Sequence, residues 1–443
     1  MSEKIKKITK NTVIVILLLS SAFLTWLNWF SDPPKTAGDS TSAFSRFVSS
    51  LAGRNASVQS VASYNAYTEY ASTTCALYPS CAVVRSDDSL YLFTRQAELE
   101  GMFERVRLSL STALDTARDS RILTSSQWRD CLCGKTVFLE FAGDMPLYYL
   151  ASSLGAAQND EMDFSISCLA LDCRTEPVRL AVKTTDGEVY CYDTDLRNPD
   201  IESIFSGMEP SDVTFACENE SIGSLVPAET LITKKSIEAP RLSVSAAVTD
   251  FTGSGTEHTI DSILASFGFN TYSANSYIES DTTRVYVEEM STLRISPAGI
   301  LVYDKGSQEE TKQMSAMSMS VRTQNINRSA QIVEKAISPL LGEASSYILR
   351  QYYDKTSGNY VVVFSTQYAG MKIDLPAGYL ARFEYRGTEL VNAYVNLLTF
   401  SLTEEYDVLM PGLYAAAAGG PAKSLEGRYV VRTGKAKAAW YLG

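Results

Sequence analysis

Residues Thr12 to Phe30 (TVIVILLLSSAFLTWLNWF) run for nineteen positions without a charge, and no other feature restricts the folding of this chain as much. A helix of that length, at about 1.5 Å per residue, just crosses a hydrocarbon core of about 30 Å. Lys4, Lys6, Lys7 and Lys10 precede the run and Asp32-Pro33-Pro34 end it. A basic flank of this kind stays in the cytoplasm, so residues 1–10 read as a cytoplasmic basic tail, 11–30 as a transmembrane helix, and everything beyond as extracytoplasmic. Trp26 and Trp29 stand near the outward end, as membrane-interface anchors do. A cleaved signal peptide is the alternative, with Ser20-Ser21-Ala22 as the processing site. Cleavage there would leave a chain starting FLTWLNWF, a poor soluble terminus, which favours the retained anchor.

Within the run, Ser21, Thr25 and Asn28 are spaced i, i+4, i+7 and share one stripe of the helix. Small and polar side chains on such a stripe let a second membrane helix approach and share hydrogen bonds. The competing reading is that the hydroxyls bond back to their own helix and Asn28 reaches the headgroups.

About 410 residues remain after the run, more than one hydrophobic core serves, so two or three domains are expected. The formal charge is −12 and the basic residues of the tail make the rest more acidic still, which argues against nucleic acid and anionic polymers as partners. Residues 31–58, rich in Ser, Gly, Ala and Pro, read as a linker. All eight cysteines fall between Cys75 and Cys217 and mark out a first α+β domain over 59–225. Outside a cell they suggest disulfides, with free thiols in an anaerobe and a metal site as alternatives. Cys75 with Cys81, and Cys168 with Cys173, are the best-spaced candidates for bridges. Cys131 and Cys133, two apart, are expected on one face of a strand.

In that domain the pattern predicts a hairpin over 81–93, a long helix over 95–120, a strand over 136–142 and a helix over 147–154 opened by Pro146. Strands at 178–184 and 188–193 flank an Asp186-Gly187 turn. Further on, RISPAGILVY (Arg294–Tyr303) and KIDLPAGYL (Lys372–Leu380) share a Pro-Ala-Gly triplet. Each comes after a helix-like run, at 260–267 and 332–341, and Tyr-rich strand sequence, so a central domain (240–325) and a C-terminal domain (329–443) are expected to be similar units. The second adds a helix over 409–418 and a last strand pair. The fold class is α+β, with small antiparallel sheets packed with helices.

No catalytic or cofactor signature stands out. The single histidine, His258, has no nucleophile motif beside it and is expected in an exposed loop. The acidic pairs Glu288-Glu289, Glu309-Glu310 and Glu404-Glu405 read as solvated faces, and Gly253-Ser254-Gly255 lacks the rest of a phosphate loop. No cofactor is expected.

The segments LTWLNW, CGKTVFLEFAGDMPLYYLASSLG, TLRISPAGILVYDK and KAAWYLG, in this order along most of the chain, resemble the YycH/YycI regulatory proteins of Gram-positive bacteria. The eight cysteines depart from that pattern. The resemblance implies a membrane-anchored, non-catalytic regulator of the essential WalK (YycG) sensor histidine kinase, working by protein contact in cell-wall homeostasis. It also implies a second anchored regulator of the same family as a possible partner, beside the lipid bilayer. An anchored glycan hydrolase using two carboxylates in a cleft, or an extracytoplasmic ligand-binding module, are the alternatives.

Overall fold

The computed structural model describes residues 77–443 apart from 87–88, 158, 198–201, 207, 249–253, 272–273 and 307–316. Ser21, Thr25, Trp26, Asn28, Trp29 and Cys75 lie outside the described residues, as do the expected tail, membrane helix and linker. Among the described residues no helix is long and apolar enough to cross a membrane.

The first sheet is built from β1 (Cys81–Ser86), β2 (Ser89–Phe93), β3 (Arg118–Ile122), β4 (Thr136–Pro146), β5 (Ser165–Asp172), β6 (Arg179–Thr184) and β7 (Val189–Asp193). Their order is β2-β1-β4-β5-β6-β7-β3, antiparallel throughout. Alternate residues feed two different cores. Ala82, Val84, Val137, Leu139, Leu169 and Leu171 enter the main core, whereas Val83, Phe138, Cys168 and Ala170 enter a smaller one behind. That two-sided burial is why TVFLEFA is apolar at nearly every position rather than alternating.

On the main-core face lies α1 (Gln96–Asp115), which buries Leu99, Met102, Phe103, Val106 and Leu110 at helical spacing and leaves Leu108 in solvent. The other face is covered by α2 (Ser125–Cys133) and the hairpin of β8 (Val213–Phe215) and β9 (Leu231–Thr233). α2 corrects the strand expected around Cys131 and Cys133. It is opened by a capping box in which the Thr124 hydroxyl accepts from Gln127 N (3.3 Å) and Gln127 Oε1 accepts from Thr124 N (2.9 Å). The short α3 (Leu147–Ser153) starts directly after Pro146, as its sequence predicts.

The second sheet has thirteen strands and far exceeds the small sheets expected. It comprises β10 (Ile237–Ala246), β11 (Asn275–Ile278), β12 (Arg284–Glu288), β13 (Ser291–Ile295), β14 (Ile300–Lys305), β15 (Ser345–Tyr353), β16 (Tyr360–Tyr368), β17 (Met371–Asp374), β18 (Ala381–Arg386), β19 (Glu389–Asn396), β20 (Leu398–Leu409), β21 (Leu425–Arg432) and β22 (Lys435–Leu442). The order runs β11-β12-β13-β14-β19-β18-β16-β17-β21-β22-β10-β20, with β15 also on β16. β16 is the branch point: β15 takes one edge, while β18 pairs with its first half and β17 with its last two residues on the other. β17 then turns to pair with β21 in parallel, and the other pairings are antiparallel.

Gly299 and Gly378 close turns of one form, with φ of 77° and 76° and N–H bonds to Ser296 O (3.0 Å) and Leu375 O (2.9 Å). The strands leaving the two turns pair differently. β14 folds back on β13, but β18 pairs with β16 because β17 has left for β21.

Helices α4 (Ser254–Ser266) and α5 (Met319–Ile332) pack on this sheet, and α6 (Gly412–Gly419) covers β9. His258 is exposed on α4, a helix and not a loop. The helix-like run expected over 332–341 is helical, as a π turn over Val333–Ile337 and a 3-10 turn over Ser338–Leu340. α5 precedes it from Met319, capped by Ser318, and that start is hidden in the sequence because the inward stripe is partly polar. Ser329 Oγ meets Tyr385 OH at 2.8 Å and Asn325 Nδ2 donates to Gly387 O at 2.9 Å, so burial there leaves no apolar periodicity to read.

The two sheets share one continuous core from Leu77 to Ala438. Across their seam, Tyr360 OH donates to Gln351 Oε1 (2.7 Å) and therefore accepts from Tyr148 OH (3.2 Å). Arg322 stacks over Tyr148 at 4.6 Å while donating to Asp163 Oδ2 at 2.6 Å.

Candidate functional site: a cleft between the two sheets

On the side of the first sheet away from α1, strand register sets four polar side chains in a row. Cys81 on β1 lies opposite Glu140 on β4, Glu140 opposite Cys168 on β5, and Cys168 opposite Lys183 on β6. Directly opposed residues in a sheet point to one face, so the row is a consequence of pairing and not of sequence proximity. It floors a cleft of about 800 Å³ whose far wall comes from the second sheet, including Lys372, Glu426 and Trp440. The β16–β17 turn forms the rim. Ala369 and Gly370 both have positive φ (48° and 79°), the conformation a two-residue hairpin favours, and a Cβ on Gly370 would sit 3.0 Å from Ser80 O.

Four of the charges lining the cleft form two ion pairs. Lys183 binds Glu229, whose other oxygen accepts from Trp128 Nε1 at 3.1 Å. Lys372 and Arg428 both hold Glu426, at 2.9 and 3.2 Å. Glu140 has only a thiol: Cys81 Sγ donates to its Oε2 at 3.2 Å.

These surroundings separate the two carboxylates. Burial pushes Glu140 above the usual carboxylate range, against the pull of the Cys81 thiol and of Lys372. At Glu426 burial acts in the same upward direction, but Lys372 and Arg428 outweigh it and hold the group below that range. Burial, then the charge of Glu140, keeps the Cys81 thiol well above its ordinary value, and burial and then Glu229 do the same to Cys168. Neither thiol is a nucleophile at neutral pH. The cleft offers a hydrogen-bonding floor with one protonatable acid, which suits binding better than covalent chemistry.

Glu140 makes stability depend on pH. Its folded-state pKa is raised, so its contribution to stability is fully present below the unfolded carboxylate value and is lost as pH rises through the folded one. Glu140→Gln is expected to flatten the loss of stability with rising pH above about 4.5 and to raise the melting temperature at pH 7. Urea titrations of both proteins at several pH values check this. Parallel pH profiles would mean that Glu140 is ionised and fully solvated.

Two of the four cysteines named as bridge candidates, Cys81 and Cys168, therefore flank a carboxylate. The expected Cys168–Cys173 bridge is not formed, and both are free thiols. They stand five positions apart on and just after β5, an odd spacing that turns them to opposite faces: Cys168 enters the smaller core, while Cys173 packs against the main one and donates to Leu171 O. Cys81 is likewise a free thiol, and its expected partner Cys75 lies outside the described residues. Among the described residues no group of three or more His, Cys, Asp or Glu could hold a metal ion. Sequence reasoning missed Glu140, Lys183 and Glu229 altogether. The only available signal was a lone Glu inside the apolar run TVFLEFA.

No protein-family model and no curated protein matches this sequence. In structure the chain is similar to YycH from Bacillus subtilis, with a TM-score of 0.51 at 9% identity over 84% of this chain and 94% of that one. An uncharacterized protein from Eubacterium rectale aligns at a TM-score of 0.28 and 9% identity over 47% of this chain and 77% of that one, and carries no argument. The mixed α and β fold with several antiparallel sheets is consistent with the α+β class expected from the sequence pattern.

Proposed function

We propose that this chain is a regulatory protein anchored by residues 11–30 that modulates a sensor histidine kinase of cell-wall homeostasis through protein contacts. The observation that carries the reading is the fold it shares with YycH along 84% of its length. The charge-free run behind four lysines supports a single-pass anchor with the bulk extracytoplasmic. In this reading the partners are the membrane-bound kinase, the bilayer and a second anchored regulator of similar build, and no catalysis is involved. The central (240–325) and C-terminal (329–443) runs are proposed as copies of one helix-and-strand unit.

The test addresses the anchor. If the kinase is regulated inside the membrane, Ser21, Thr25 and Asn28 face one of its helices, with shared hydrogen bonds there contributing about 0.6 to 2 kcal/mol each. Replacing all three with Leu is expected to leave insertion intact and weaken regulation, while Ile16→Leu with Phe23→Leu on the opposite stripe changes little. A reporter of kinase output that responds equally to both sets, or to neither, moves the contact to the exterior domains. A mature chain starting at Phe23, found by mass spectrometry of the membrane fraction, ends the anchor reading.

The cleft favours one second reading, a ligand-binding module, because its polar floor is open and Glu140 lacks a cation. Hydrolysis of glycan is less well supported: Glu229 and Glu426 are each committed to lysine partners. Thermal-shift screening of the wild type against Glu140→Gln separates the readings, since a ligand of the cleft loses its shift in the variant.

A further inference from the structure

Cys133 ends α2 and Cys217 lies in the helical turn Ala216–Glu218 after β8, 84 positions apart in sequence, yet their sulfurs stand 3.6 Å from each other. The fold brings them together because α2 and the β8–β9 hairpin cover the same face of the first sheet, around Phe138 and Phe215. Cys217 is buried and Cys133 half-buried, so Cys133 is the less enclosed residue of the pair. The guanidinium of Arg85, held by both oxygens of Glu218 at 2.9 and 3.1 Å, is within electrostatic reach of both sulfurs.

The other described thiols are placed differently. Cys81 donates to Glu140, Cys173 to a backbone carbonyl, and Cys191 accepts from Arg121 at 3.8 Å. Cys131 and Cys168 are 2% and 1% exposed and enclosed in the core.

We propose that Cys133 and Cys217 form a dithiol site that a low-molecular-weight disulfide converts to an intramolecular disulfide. The Cys133 thiolate attacks one sulfur of the reagent, forming a mixed disulfide and expelling one reagent thiolate. The Cys217 thiol, which burial and then the neighbouring Cys133 hold well above its ordinary value, gives up its proton as it attacks the Cys133 sulfur of the mixed disulfide, closing the protein S–S bond and expelling the second thiolate. This is the slow step, reached here because Cys133 already stands beside it. Both protons lost by the protein end on the reagent thiols, and its two electrons reduce the reagent disulfide. Closure brings the sulfurs from 3.6 Å to about 2.05 Å, a movement that the end of a helix and a single helical turn can absorb without breaking a strand ladder. The bond would tie α2 to the β8–β9 hairpin across a long loop, which raises thermal stability. Neither cysteine lines the cleft, and the proposal does not rest on the kinase reading.

The experiment is a non-reducing peptide map of the full chain after equilibration with oxidised glutathione, quenched by alkylation, with a parallel sample in reduced glutathione. The expected result is a Cys133–Cys217 cross-linked peptide only in the oxidised sample, together with a higher melting temperature. Cys133→Ser is expected to abolish both the cross-link and the oxidant-dependent rise. The wild-type map requires no variant to fold. Two alkylated peptides after full equilibration, or Cys133 bridged to any other cysteine, overturns the proposal. An oxidant-dependent rise that persists in Cys133→Ser overturns the assignment of the stabilisation to this bond.

Discussion

Gly143→Ala is expected to cost about 3 to 5 kcal/mol of stability. A Cβ at this position would overlap Ile348 O and lie 2.6 Å from Leu349 Cα. Both are backbone atoms, so no side-chain rotation relieves the overlap. The close approach has a structural cause. β4 slips register against β5 between Glu140 and Met145, and β15 slips against β16 between Ile348 and Arg350. Each slip is a bulge that bends its strand, and the two bent segments meet with Gly143 against Leu349. The seam between the sheets therefore depends on a residue without a side chain. Thermal or urea unfolding of Gly143→Ala, compared with Gly101→Ala on α1, where nothing lies within 4 Å, checks the claim. The Gly101 variant is expected to be neutral or slightly stabilising, since alanine is the better helix former. Equal midpoints for the two would show that the strands do not cross there.

Local elements are legible wherever burial is one-sided or short-range. The hairpin of β1 and β2, the stripe of α1 and the Pro146 start of α3 follow from periodicity and turn chemistry alone. α2 escapes the sequence reading although Thr124-Ser125-Ser126-Gln127 carries a capping signal, because the cysteine spacing suggests a strand instead. The start of α5 is obscured because Asn325 and Ser329 face inward with partners that only the folded sheet supplies. The repeated Pro-Ala-Gly correctly marks two equivalent turns, but nothing in it foretells that β17 leaves its hairpin for a parallel partner more than fifty residues on. The cleft is out of reach for the same reason. Cys81, Glu140, Cys168 and Lys183 are neighbours only through register across four strands, and register is set by the whole sheet.

Lys183→Met is expected to be the most damaging change inside the cleft, at about 3 kcal/mol. Lys183 and Glu229 are 17% and 13% exposed, which removes most of the water that would otherwise solvate either charge. Taking away the cation leaves the Glu229 carboxylate buried with only the Trp128 indole N–H to stabilise it. Methionine keeps the length and apolar stem of lysine, so the loss measures the charge rather than the packing. Adding Glu229→Gln removes the stranded charge while the amide oxygen still accepts from Trp128 Nε1. The double variant Lys183→Met/Glu229→Gln is therefore expected to be more stable than Lys183→Met alone, a non-additivity of about 1 kcal/mol or more. Urea unfolding of the four proteins in the cycle gives that coupling directly. Should Lys183→Met cost no more than an ordinary surface substitution, water reaches Glu229 freely, the floor of the cleft is solvated throughout, and its polar row has no more claim to a ligand than the rest of the acidic exterior.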